Sequence, residues 1–515
     1  MNPRSLFKAG LYVLLLIIVG KVLAFVRDIV ISGIYGAGVE TDAYFIALNI
    51  TSIMFVAFYS TVSLVFLPLY NESKIKNSRV ETDLFSSNVI NLYLFVALCI
   101  MVLGGYYSQG IVELITLSPD DELVSLTVKL TRIMVCSFVF SIFISFMASI
   151  QISNDKYWTP HLGPVINNFV VIFAVIWLSP KYGIYVPAVA GVFAWMVQAP
   201  VHKWWVRKDF NYSFYVNIKD HKVKKMFLLF VPAFLGGFID QTNILVDTVL
   251  ASGLHEGSVS ALNYSNRLVG FSAGMFVLAI MTIMYPAFSK HIEENEMDQL
   301  MRSIQGSIRL VLLLMLPITA IIIVYHYEIV SIVFQRGKFD VMATQSTSSV
   351  FFFYAIGLAF LGLRELFNKV FFAMKNTKTP LVISFFAVII NIFLSILLVD
   401  DMGVNGLALA SSVSLVFYVS LQVVMLYNMI GSGFYKEMSS FFWRVLLAFF
   451  IVFCFMYLYK EYNFFNSTYI MFFTGSFLGL VCYVFLLFFF KVEEVVNLNN
   501  TLKYKLRASL GRAGL

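Results

Sequence analysis

Charge is scarce in this sequence. Only 13% of its 515 residues are Asp, Glu, Lys or Arg, against 60% apolar, too little polar matter to clothe a water-soluble chain of this length. Cysteine is scarcer still. The four that occur, Cys99, Cys136, Cys454 and Cys482, lie inside apolar runs without paired spacing or a nearby His, which argues against a disulfide framework and against a zinc site. Histidine numbers six, mostly in or near loops, and there is no HExxH, GxSxG, Walker A loop or Cys–His signature. That removes the familiar enzyme constellations and any nucleotide site, and no cofactor is expected. The net charge of +7 does not point to nucleic acid, because the basic residues are spread over the loops between apolar runs.

What is present in abundance is long hydrophobic runs of roughly 18–25 residues separated by short polar stretches, the pattern of transmembrane helices. Closed β-barrels need short alternating segments instead, whereas Leu11–Ile18 is continuously apolar. The fold class expected is therefore an all-α integral membrane protein with about fourteen spans. They read as 9–34, 42–70, 86–107, 126–153, 159–179, 184–203, 227–252, 259–289, 306–335, 344–374, 379–399, 404–430, 438–459 and 467–490. Arg4 and Lys8 before the first run resemble a signal peptide, but the run meets Lys21 and offers no small-residue cleavage site, so it reads as a retained helix. Lys74, Lys76 and Arg79, the cluster Lys203 to Lys225, and Lys375 with Lys378 all fall in loops on the N-terminal side. Glu40 and Asp42, Asp120 to Glu122, and Asp400 with Asp401 fall on the other, with Arg336 and Lys338 as exceptions. The positive-inside rule then makes both termini cytoplasmic in a multi-pass protein.

The two halves repeat. Phe146-Met-Ala-Ser-Ile-Gln-Ile-Ser-Asn-Asp-Lys-Tyr-Trp-Thr-Pro160 resembles Val370-Phe-Phe-Ala-Met-Lys-Asn-Thr-Lys-Thr-Pro380, each a helix end, a polar turn and a Thr-Pro that opens the next helix. An Asn follows each, Asn167 and Asn391, and Phe66-Leu-Pro-Leu-Tyr matches Met284-Tyr-Pro-Ala-Phe. The expected organisation is an N-terminal lobe with a linker, 1–225, a C-terminal lobe, 226–432, and a last helix pair with a cytoplasmic tail, 433–515. With six spans between equivalent helices, the lobes share one topology and an axis along the membrane normal.

Ionisable residues inside spans cost about 2.5–3.5 kcal/mol on insertion scales and mark where function should show. Lys21 and Arg27 of the first span are separated by about 120° around the helix axis and can border one broad cavity, where two cations suit an anion such as a pyrophosphate. Alternatively, Arg27 and Asp28 satisfy each other near the end of the helix. Asp247 and Arg267 in the second half form either an ion pair or part of a cation site, with Asn391, Ser395 and Ser411 as further oxygen donors. Arg364, Glu365 and Lys369 read as structural pairing, Glu365 with Lys369 at i,i+4. Uphill movement of a solute would draw on Na⁺ or H⁺ coupling or on membrane potential, the last worth about 2.3 kcal/mol per charge per 100 mV.

Lys21-Val-Leu-Ala-Phe-Val-Arg-Asp28 followed by Tyr35-Gly-Ala-Gly-Val-Glu-Thr-Asp-Ala-Tyr44 resembles the opening signature of the MurJ/MviN flippases, which export lipid II for peptidoglycan. The stretches 257–268, 333–340 and 372–380, with Gly406-Leu-Ala-Leu-Ala410, extend the likeness to the twelfth span. The resemblance implies the multidrug/oligosaccharidyl-lipid/polysaccharide exporter fold, alternating access, and Lys21 (where the family typically has Arg), Arg27, Asp28, Asp42 and Arg267 as cavity residues. It also implies a monomer in the bacterial inner membrane whose partners are membrane lipids and a polyprenyl-pyrophosphate-linked saccharide. The last helix pair would border a groove for the polyprenyl tail. One departure stands out: Met54 and Phe55 occupy the place of an Arg pair in lipid II exporters, which leaves lipid II and another undecaprenyl-linked glycan both open. A cation-coupled multidrug exporter of the same fold and a membrane glycan polymerase or ligase are the rival readings. The first would want an acidic cavity and the second a sizeable outer loop.

Overall fold

The structure is a computed structural model and describes residues 3–118, 120–430, 433–462 and 467–496. The side chains of Arg4 and Lys8, and the expected tail 497–515, lie outside the described residues. In chain order the helices are α1 (Pro3–Tyr35), α2 (Val39–Lys76), α3 (Arg79–Tyr106), α4 (Ser108–Ile115), α5 (Asp121–Met134), α6 (Ser137–Ser153), α7 (Leu162–Tyr182), α8 (Tyr185–Val206) and α9 (His221–Ser252). They continue with α10 (Ser258–Glu293), α11 (Met297–Phe334), α12 (Val341–Ile356), α13 (Leu358–Ala373), α14 (Lys378–Met402), α15 (Val404–Ile430), α16 (Gly433–Glu461) and α17 (Thr468–Phe489). The described residues contain no strand, as the bilayer demands of a chain whose backbone groups must pair within each segment. Nine of these helices or helix pairs are long and apolar enough to cross a membrane, or ten with the bent pair α12–α13.

Helix ends follow local chemistry. Ser78 and Glu81 form a capping box at α3, the Ser78 hydroxyl accepting the Glu81 N–H and Glu81 the Ser78 N–H. Asp120 and Asp220 accept N–H groups at the starts of α5 and α9. The run expected at 126–153 is one span, Asp121–Ser153, interrupted where the Cys136 N–H bonds to the Ile133 carbonyl three residues back instead of four. The run expected at 344–374 is bent by 48° between Ile356 and Leu358, with the Gly357 N–H likewise bonded three residues back, to Tyr354. The eight-residue α4 has no counterpart in the expected spans, being too short to register as one.

By contacts the chain forms two compact units, a grouping in space that is distinct from lobes defined by a sequence repeat. The first holds the chain up to Arg267 together with Phe334–Thr347 and Val388–Leu407. Its core joins α2, α3, α6 and α9 through Phe58, Phe66, Val89, Tyr93, Phe138, Phe146 and Phe230, with Phe66 edge-on to Phe146 at 4.9 Å. Met54 and Phe55 pack against this core, and Phe55 stacks on Phe138 with ring centroids 5.3 Å apart.

The second unit holds Leu268–Val333, Ser348–Ala387 and the described chain from Ala408 onward. Its core runs through Phe288, Val311, Met315, Leu366, Phe367, Val445 and Met456. Tyr325 leaves helical geometry inside α11 (φ −112°, ψ 26°). Beside it Lys460 of α16 donates to the Val324 carbonyl at 2.8 Å and pairs with the buried Glu328 at 2.8 Å. A charged pair thus holds α16 at the kink. Past α17, Glu494 pairs with Arg309 of α11 at 2.8 Å.

Candidate functional site

The site grows from one carboxylate in the first unit. Asp28 of α1 is buried, and its Oδ1 accepts two hydrogen bonds from Arg27, from Nε at 3.1 Å and Nη2 at 2.9 Å. Its other oxygen accepts from Arg267 Nη1 of α10 at 3.0 Å. Adjacent residues on a helix do not face each other, so the Arg27 side chain folds back toward its neighbour, and Asn168 of α7 holds it there. The Asn168 carbonyl oxygen accepts from Arg27 Nη1 at 3.0 Å, while its amide donates to the carbonyls of Gly20 and Pro164. The Arg267 guanidinium also lies 5.5 Å from the ring centre of Phe45, a cation–π contact.

Two guanidinium groups share one carboxylate, so the cluster carries a net positive charge. The carboxylate is used up, its side chain 5% exposed, whereas Arg27 is 18% and Arg267 26% exposed. Of the five N–H donors of a guanidinium, Arg267 commits one to Asp28. The remainder can meet a second anion, and a phosphate oxygen is the acceptor their planar geometry suits.

Three sequence stretches converge to set this geometry. Asp42 near the start of α2 is buried and accepts the N–H groups of Gly257 and Ser260, each at 2.7 Å, with the Ser260 hydroxyl at 2.6 Å. It therefore caps α10, the helix carrying Arg267, where a negative charge is favoured. Glu256 accepts the Val39 N–H, the Lys338 N–H bonds to the Gly33 carbonyl, and Tyr264 donates to the Gly36 carbonyl while packing on Phe45 and Phe334. Gly36 and Gly257 make this interlock possible. Both have positive φ (78° and 85°), and a Cβ on either would lie 2.7 Å from the Lys338 carbonyl oxygen or 2.9 Å from that of Ala37.

The other expected site residues distribute as follows. Lys21 is half-buried on α1 and makes no ion pair or hydrogen bond among the described residues. Asp247 of α9 is buried and accepts from Ser395 of α14 at 3.4 Å; Asn391 is buried one helical turn earlier on α14. Ser411 belongs to the second unit. The ion pair expected between Arg267 and Asp247 is replaced by one with Asp28 of α1, to which α10 brings Arg267 instead. On α13 the expected Glu365–Lys369 pair gives way: Arg364 takes Glu365 at 2.8 Å, and Lys369 lies over the Tyr285 ring at 5.7 Å. Asn168, not the Asn167 singled out by the repeat, reaches Arg27. The pair Lys460–Glu328 has no counterpart among the expected site residues, although a carboxylate inside the apolar run of α11 is itself a signal.

The chain matches, over residues 31–488, the family model described as "Lipid II flippase MurJ". A "Probable lipid II flippase MurJ" of Buchnera aphidicola subsp. Acyrthosiphon pisum is 26% identical over 419 residues, covering 80% of this chain and 81% of the relative. That of Vibrio cholerae is 28% identical over 437 residues, covering 80% and 81%. Among solved structures, "Lipid II flippase MurJ, inward closed conformation" superposes with a TM-score of 0.81 at 24% identity, covering 93% of this chain and 99% of that one. An inward-facing multidrug resistance MATE family transporter of the MOP superfamily gives 0.65 at 11% identity, covering 80% and 94%. At these identities the structural likenesses speak for the fold alone.

Proposed function

The chain belongs to the MurJ family of lipid II flippases, and on that premise we propose that it moves a polyprenyl-pyrophosphate-linked saccharide from the cytoplasmic to the outer leaflet of a bacterial inner membrane by alternating access. The observation that carries this reading is Asp28 held between Arg27 and Arg267. An incoming pyrophosphate competes with Asp28 for the two guanidinium groups, and Lys21 on the same helix adds a third cation. Transport requires that these groups hold the phosphates better in the loading state than in the releasing one, because a ligand bound equally in both shifts nothing.

Fourteen crossings, the count given by the apolar runs, put both termini on one side, the Lys and Arg bias of the loops makes that side cytoplasmic, and the working unit is a monomer. Asp247 with Asn391 and Ser395 supplies oxygen ligands for a coupling Na⁺ or a carboxylate for a coupling proton; membrane potential is the other source of drive. The apolar packing of Met54 and Phe55 removes one cationic arm, so the cargo is lipid II or a related undecaprenyl-linked glycan with a less anionic headgroup.

Purified protein in liposomes, assayed for protection of a fluorescent polyprenyl-pyrophosphate saccharide from an external quencher, tests the site. Arg27→Ala and Arg267→Ala should each lower the rate about tenfold or more, the loss of a charge-assisted hydrogen bond worth about 1.5–3 kcal/mol. Folded variants with undiminished flipping would sink the cationic-site mechanism.

A further inference from the structure

The antiparallel hairpin of α7 and α8 carries a second feature besides the contact of Asn168 with Arg27. Between the two helices lies a groove of about 670 Å³, within the range of sites that hold one small ligand, about 300–1,000 Å³. Phe169, Phe173 and Phe193 form its walls and Ala174 and Ala190 its floor. The three rings are each about half exposed, so the groove opens away from the inward faces of α7 and α8, where Val171, Val175 and Ala194 are buried. In a membrane-spanning chain that open side meets hydrocarbon.

Length and charge identify the occupant. From Phe169 to Tyr182 the groove follows α7 for about 20 Å at 1.5 Å per residue, close to one leaflet with its headgroup region, half of a bilayer about 40–45 Å thick. A lipid chain anchored at one headgroup plane fits that depth, whereas a long polyprenyl chain would overrun it. Tyr182 and Tyr185 close the groove at the α7–α8 turn, and such rings settle at the headgroup level. Lys181 stands at this end, exposed, its Nζ 5.2 Å from the ring centre of Tyr182. It makes no ion pair among the described residues.

We propose that the α7–α8 groove is a binding site for an anionic bilayer phospholipid, one acyl chain lying between Phe173 and Phe193 and the phosphate held at Lys181. The lipid is a resident of the hairpin, separate from any transported cargo.

The full chain in nanodiscs of phosphatidylcholine, containing a minor fraction of phosphatidylglycerol with a diazirine in its acyl chain, is irradiated and digested, and adducts on residues 169–193 are quantified. Wild type should label there, and phosphatidylcholine carrying the same diazirine should label about fivefold less, the weight of one basic residue at a charged headgroup plane. Lys181→Gln should erase that preference while leaving chain labelling in place. Ala174→Trp, which fills the half-buried side of the floor, and Ala190→Trp should each suppress labelling by both lipids. Unchanged labelling in the Trp variants, or equal labelling by the two lipids in wild type, overturns the site. Suppression by unlabelled polyprenyl phosphate but not by unlabelled phosphatidylglycerol overturns the assignment to a phospholipid.

Discussion

At the scale of single residues, Asp28 does more than neutralise a neighbour. It joins α1 to α10 through Arg267 while also holding its neighbour Arg27, and its removal leaves two guanidinium groups without their shared counter-charge. Asp28→Asn should therefore lower stability by about 3 kcal/mol, the low end for breaking a buried pair because both arginines retain some solvent. Thermal unfolding of the purified variant in detergent reads this directly. The same substitution frees both arginines for anions, so pyrophosphate should raise the melting temperature of Asp28→Asn more than that of wild type. Arg27, Asp28 and Arg267 were legible from sequence, because a charge inside an apolar run stands out. Asn168 was not, since two adjacent asparagines on a helix point in different directions and only packing against α1 chooses between them. Lys369 departs from the sequence pattern for a related reason: the i,i+4 rule knows its own helix but not the Tyr285 ring on α10.

At the scale of elements, the start of α10 is fixed by Asp42 from another helix. Asp42→Ala should cost about 1–2 kcal/mol as a lost cap, and Gly257→Ala more than a cap alone, because it adds a close approach at positive φ. Both should slow flipping through misplacement of Arg267 even at temperatures where the protein stays folded, which a liposome assay alongside the melting curve separates. In the second unit, Glu328 and Lys460 hold α16 beside the bend at Tyr325. Lys460→Met alone strands the buried Glu328 and should destabilise by about 3 kcal/mol, whereas Glu328→Met with Lys460→Met should return close to wild type, since apolar replacement of both partners is often neutral. Additive losses in the double variant would show that the two side chains are not coupled.

At the scale of the whole molecule, the decisive measurement is complementation. Expression of this chain during depletion of a lipid II flippase should restore growth if its cargo is lipid II. Failure, with surface polysaccharide lost on deletion of the chain in its own host, would assign it to a related undecaprenyl-linked glycan. Phe55→Arg would not convert one into the other: it removes the stack on Phe138 and sets a charge against an apolar core, so the expected outcome is reduced yield of folded protein.

The sequence by itself determined that the chain is an all-α membrane protein, because a hydrocarbon solvent tolerates so few backbone solutions that long apolar runs suffice to name the fold class. It also determined which ionisable residues to watch, since each is expensive where it stands. Only the tertiary structure decided how those residues combine. Asp28 and Arg267 are separated by 239 positions, and the stretches at 33–44, 256–268 and 333–340 interlock through backbone carbonyls and glycine geometry that no periodicity encodes. A helix pattern fixes which face a side chain occupies; which partner meets that face is set by packing between helices, and it is there that two arginines came to share one carboxylate.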